Sequence, residues 1–112
     1  MAAFALGGSG MFASLASVAP KLSKHVYDLC QQEKFVEARG ASEQIAQLYR
    51  LLKNAGESGL KDGLAGIKTA MAALGRPCGA TRPPARGLEI ERGKISEALS
   101  KMAFLKDESR DW

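Results

Sequence analysis

Histidine, cysteine and aromatic side chains are scarce in this sequence, and each scarcity removes a class of function. His25 is the single histidine, and Cys30 and Cys78 are the two cysteines. A zinc quartet therefore cannot be assembled from this chain alone, and we expect neither a metal site nor a cofactor. Two cysteines make no disulfide scaffold. One disulfide is formally possible, but two free, partly buried thiols in a reducing compartment are the plainer reading, which favours the cytoplasm. The phosphate-binding loops are missing too. Gly7, Gly8 and Gly10 lead into Met11-Phe12 rather than into Lys followed by Ser or Thr, and they precede an apolar run instead of following one. A tight turn with positive φ is the reading that remains.

Segregated charge is also lacking. Sixteen Lys and Arg against twelve Asp and Glu give a formal charge of +4, but the signs interleave along the chain, so no nucleic-acid partner is expected. Arg76, Arg82 and Arg86 form a denser group in a Pro/Gly-rich stretch without aromatics, and a solvated loop is expected there. No apolar run is long enough for a membrane span: Met1 to Pro20 has no charged side chain, but Gly7-Gly8-Ser9-Gly10 and three serines interrupt it. A signal peptide would need a basic start that is not there, although Ser17-Val18-Ala19 would pass as a cleavage site.

What is present is a helix-forming chain. Its 112 residues, 46% apolar, suffice for one small core. Met1 to Leu6 is helix-compatible but too short to stand alone. Met11 to Ala16, bounded by glycines and a proline, has the pattern of a strand buried on both faces. Pro20 suits the first turn of a helix running to about Lys34, with Leu22, Val26, Leu29 and Cys30 on one face and Ser17 or Ala19 near the cap. Phe35, Ala38, Ala41, Ile45, Leu48 and Leu52 mark a second helix ending at Asn54-Ala55-Gly56. Leu60, Leu64, Ile67, Met71 and Leu74 mark a third closed by Gly75, whose first half is weakened by Gly63 and Gly66. After the extended Pro83-Pro84 connection, a last helix carries Ile90, Ile95, Ala98, Leu99, Met102 and Leu105.

One strand and four helices leave a physical debt. A buried strand must pair its backbone groups, at about 1 to 3 kcal/mol for each one left unmade, and no second strand is visible. Either the strand reading is wrong, or its neighbours lie in sequence outside this chain or in another chain. No side chains stand ready for catalysis either. His25 has only Asp28 within helical reach, the carboxylates Glu33, Glu37, Glu43, Asp62, Glu89 and Glu91 form no obligatory pair, and every lysine falls on a predicted helix or its end. No catalytic residue is expected.

The stretch Ala5-Leu6-Gly7-Gly8-Ser9-Gly10-Met11-Phe12-Ala13-Ser14-Leu15-Ala16-Ser17-Val18-Ala19-Pro20 resembles the last barrel strand of the dihydrodipicolinate synthase / N-acetylneuraminate lyase family. Phe35 with Glu37-Ala38-Arg39, Gly66 to Pro77 and Thr81-Arg82-Pro83-Pro84 resemble, in order, later family segments. The resemblance implies a chain that is mainly α. It would supply the last strand (about 11–16) and last helix (about 20–34) of a (β/α)8 barrel over residues 1–34, and a three-helix C-terminal extension over residues 35–112. It implies a pyruvate-type class I lyase, aldolase or dehydratase that forms a Schiff base with a 2-oxo acid. The lysine, the tyrosine and the carboxylate-binding Thr or Ser of that chemistry lie on earlier strands, so the chain alone is expected to be inactive. Phe12 matches the apolar residue that lines the substrate pocket. The implied partners are the remaining barrel segment or further copies in a homo-oligomer. Ala13 and Ser17 stand where the family commonly has serine and asparagine, which leaves the subfamily open. The alternative is a small non-enzymatic helical interaction module with an apolar N-terminal anchor or signal.

Overall fold

The computed structural model describes residues 1–53, 63–83 and 92–108. Helix α1 spans Ala2–Ala5, α2 Pro20–Gln31, α3 Phe35–Lys53, α4 Gly63–Ala73 and α5 Arg92–Ser100, with single 3-10 turns at Ser14–Ser17 and Ala103–Leu105. The described residues are mostly helical and contain no strand.

The expected strand at 11–16 is therefore corrected. Ser14–Ser17 winds into a 3-10 turn instead, in which the Ala16 N–H donates to Ala13 O and the Val18 and Ala19 N–H groups donate to Leu15 O. Without a neighbouring strand among the described residues, local bonds are how these backbone groups are satisfied. Only the approach keeps extended geometry, with Ala13 at φ −129° and ψ 103°.

Helix α2 begins at Pro20 and buries Leu22, Val26, Leu29 and Cys30, the stripe read from its 3.6-residue spacing. It stops at Gln31 rather than near Lys34. Glu33 takes a left-handed φ of 58°, its N–H bonds Cys30 O, and the Lys34 N–H turns back to Leu29 O. This is a Schellman ending with glutamate where glycine is usual. Helix α3 then packs on α2 through Ala38, with Ala41 and Ile45 half-buried and Leu48 and Leu52 buried beyond them.

Helix α4 keeps most of its expected stripe, with Leu74 buried and Ile67 and Met71 packed against the core, but departs from it at its start. Leu64, placed on the apolar stripe by its spacing, is 59% exposed, whereas Ala65, Gly66 and Ala70 are buried. Gly66 allows the small residues to pack inward there: a β-carbon would lie 2.8 Å from Leu52 O, so α4 meets the end of α3 backbone to backbone. Gly75, at φ 78°, ends α4 with a second Schellman pattern: its N–H bonds Ala72 O and the Arg76 N–H bonds Met71 O. Helix α5 stops at Ser100, short of the expected Leu105, because Met102 adopts extended geometry before the second 3-10 turn. That break lets Leu105 rejoin the core beside Ile95 and Leu99. Residues 54–62, 84–91 and 109–112, which include the expected helix end at Asn54-Ala55-Gly56 and positions Leu60, Arg86 and Ile90, lie outside the described residues.

The main core gathers Leu15, Val18, Ala19 and Leu22 from around the start of α2 against Leu48, Leu52, Leu74, Ile95, Leu99 and Leu105. A smaller cluster joins α2 to the beginning of α3, and Phe4 of α1 closes on it with its ring edge-on to Tyr27 at 5.7 Å. Removal of residues up to Ala19 as a leader would take out Val18 and Ala19, both fully buried.

Candidate functional site

Phe12, the one residue expected to line a pocket, is fully exposed, and Leu6 nearby is 88% exposed. Among the described residues, no backbone–backbone hydrogen bond involves Gly10, Met11 or Phe12. Upstream, Ser9 O accepts from Gln31 Nε2 at 3.1 Å and from Tyr27 Oη at 3.4 Å, which ties the glycine turn to α2. The segment between Ser9 and the 3-10 turn thus presents an apolar side chain and unpaired peptide groups to its surroundings.

Immediately after it, two buried charged side chains bond to the backbone around the start of α2. The N-cap of helix α2 is Ala19, whose methyl group cannot cap the free first-turn N–H groups. The carboxylate of Glu108 does so instead, with Lys21 N donating to Oε2 and Leu22 N donating to Oε1, both at 2.9 Å. A negative charge there also complements the positive end of the helix dipole. The Arg76 guanidinium stands beside this carboxylate and donates through Nη1 to Ser17 O and Val18 O at 2.6 Å each. Arg76 is 2% exposed and Glu108 5% exposed. Burial lowers the affinity of Arg76 for its proton, and the Glu108 charge opposes that effect.

The expectation of a solvated arginine group is corrected for Arg76, while Arg82 is exposed. The Schellman bonds around Gly75 turn the chain back at Arg76, and the carbonyls of Ser17 and Val18 supply the acceptors that a buried guanidinium needs. A sequence signal for Glu108 existed in hindsight. A helix opening Ala19-Pro20-Lys21-Leu22 has no capping side chain and no acid in its first turn, so the cap must come from elsewhere.

Among the described residues, Arg76 and Glu108 are the buried charged side chains. None of the described lysines is buried, and Lys61 lies outside the described residues. Lys68 Nζ donates to Gly79 O and Ala80 O, tying the loop after α4 to that helix. His25 is exposed, and Asp28, its expected neighbour, pairs with Lys24 at 2.6 Å. Cys30 is buried and Cys78 half-buried, both as free thiols, as the cysteine count suggested. Among the described residues, no three His, Cys, Asp or Glu side chains gather as a metal site, and no helix is long and apolar enough to cross a membrane. An apolar cleft of about 270 Å³ lies between the first 3-10 turn, α3 and α4, walled by Leu15, Leu52 and Ile67 with Tyr49 and Lys53 at its rim.

The described residues thus define a helical unit with an unpaired apolar segment at one end. Its sequence is similar to that of the 4-hydroxy-tetrahydrodipicolinate synthase of Methanococcus maripaludis, with 30% identity over 102 residues. The alignment covers 90% of this chain and 33% of the relative, so the chain spans about a third of the length of the curated relative it matches. The similarity is distant and partial, and it supports kinship with that synthase as a fragment. No family model matches the sequence. No solved structure matches it either.

Proposed function

We propose that this chain is the C-terminal portion of a Schiff-base lyase, aldolase or dehydratase acting on pyruvate or a related 2-oxo acid, and that it is inactive by itself. The observation that carries this reading is the similarity to the synthase along nearly the whole chain. The exposed Phe12 and the unpaired peptides of Gly10 to Phe12 support it, since they suit a segment that pairs with parallel strands carried elsewhere. In the completed barrel that segment becomes the last strand and α2 the last helix, while α3, α4 and α5 form the extension. Active sites of such barrels lie at the C-terminal ends of the strands. A strand lysine of the missing part forms the Schiff base, its amine made nucleophilic at neutral pH by burial. This chain contributes the wall of the pocket at Phe12 and no proton-transfer group. The partners are the remaining barrel segment and, in the assembled enzyme, further copies of it, in the cytoplasm.

Borohydride trapping tests the inactivity directly. The chain incubated with pyruvate and reduced with borohydride is expected to keep its unmodified intact mass. A stoichiometric adduct would place a nucleophilic lysine in this chain and overturn the proposal. The second reading, a free-standing helical interaction module, is favoured by the core that runs from Leu15 to Leu105 without a barrel. The two readings part on whether the chain supports adduct formation when joined to lysine-bearing strands.

A further inference from the structure

Three segments far apart in sequence meet at the start of α2, and one pair of side chains joins them. Glu108 belongs to the segment after α5, Arg76 follows the glycine that ends α4, and their acceptors and donors lie at residues 17–22. Lys21 Nζ adds a bond to Asp107 O on the outer side. Arg76 and Glu108 are both buried, and each meets the backbone around the start of α2 rather than water. What such buried charges supply is geometry, since each is costly to leave without its backbone partners.

We propose that Glu108 and Arg76 form a latch through which the C-terminal strap, residues 101–108, sets the position of the segment that leads into α2, and hence the direction in which Phe12 leaves the helical body. Each half of the latch has a separate task. Glu108 holds two amides of the first helical turn that no side chain at Ala19 can hold. Arg76 holds the two carbonyls just before that turn. Between them they fix the chain on both sides of Ala19, the residue at which the 3-10 turn becomes helix. Gly10 to Phe12 has no backbone bonds of its own among the described residues, so its direction is set by its two anchored ends, Ser9 on α2 and the 3-10 turn that the latch holds. Arg76 and Glu108 are thus positioning residues. The significance of Phe12 as a pocket wall rests on the proposed function, but the latch itself does not.

The test uses the full 112-residue chain without substrate, so its outcome is independent of whether the chain belongs to a lyase. Amide hydrogen exchange and backbone order parameters are measured by NMR for the wild type, Glu108→Ala, Glu108→Gln and Arg76→Met. In Glu108→Ala, the Lys21 and Leu22 amides are expected to lose protection at least about tenfold, the factor that corresponds to roughly 1.4 kcal/mol. Leu48 in the middle of α3 should change by less than about twofold. Order parameters at Ser14 to Ala16 should fall from the rigid range near about 0.85 towards about 0.6 in both Glu108→Ala and Arg76→Met. Glu108→Gln keeps the shape and one good acceptor, so one of the two amides should stay protected, which keeps the test decisive if the alanine variant does not fold. Unchanged protection at both amides, or a loss spread equally to Leu48, would overturn the latch in favour of no role or a merely structural one.

Discussion

Replacing Gly66 by alanine should reverse the usual result of such a change inside a helix. Alanine ordinarily stabilises a helix interior by about 1 kcal/mol relative to glycine. At Gly66 the added β-carbon would stand 2.8 Å from Leu52 O and 3.4 Å from Leu52 C, both backbone atoms of α3 that no rotamer change can move aside. Relief requires α4 to back away from α3, and overpacking of this kind costs about 1 to 3 kcal/mol. The clash cancels or outweighs the propensity gain, and we expect a net loss of up to about 2 kcal/mol. Gly40 supplies the control: it lies within α3, and a β-carbon there meets nothing within 4 Å. Gly40→Ala should gain about 0.5 to 1 kcal/mol from helix propensity alone. Urea unfolding followed by circular dichroism reads both variants, with the m-value checking that only stability has changed. A Gly66→Ala protein stabilised as much as Gly40→Ala at unchanged m would refute the backbone contact between α3 and α4.

Further substitutions probe other parts of the fold. Leu48→Ala removes a fully buried side chain and should cost about 2 to 5 kcal/mol, whereas Lys24→Ala, which breaks an exposed ion pair with Asp28, should cost less than about 1 kcal/mol in the same denaturation series. Glu33→Gly relieves a left-handed glutamate worth about 1 to 2 kcal/mol, offset by the greater chain entropy of glycine, so a gain of at most about 1 kcal/mol is expected in urea unfolding. Ser23→Ala removes a buried hydroxyl that has no hydrogen-bond partner among the described residues, and the thermal midpoint should hold or rise.

The stripes of α2 and α3 were legible because their large apolar residues recur at helical spacing and the same residues meet the core. Helix α4 was harder. Ile67, Met71 and Leu74 meet the core as their spacing suggests, but Leu64 is exposed while Ala65, Gly66 and Ala70 pack inward, and at Gly66 only a glycine allows the approach to Leu52. Residues 11–16 form no strand in this chain for a non-local reason: an apolar run becomes a strand only beside another strand, and among the described residues none is present. Arg76 was read as solvated because its loop is rich in Pro, Gly and Arg, while its acceptors lie 58 and 59 residues away in sequence. Glu108 escaped notice for the same cause, since the amides it caps are 86 and 87 residues distant. For Phe12 the sequence supplied a resemblance rather than a contact, and the structure shows the residue exposed.

The most direct measurement joins this chain to lysine-bearing strands. In a chimera, the 112 residues replace the matched third of the Methanococcus synthase, and the product is treated with pyruvate and borohydride and mapped by peptide mass spectrometry. The account predicts a reduced pyruvate adduct on the part of the chimera contributed by the synthase, none on this chain, and a lower yield when Phe12 is replaced by aspartate. A folded chimera that traps no pyruvate, or an adduct found on one of this chain's own lysines, would contradict it.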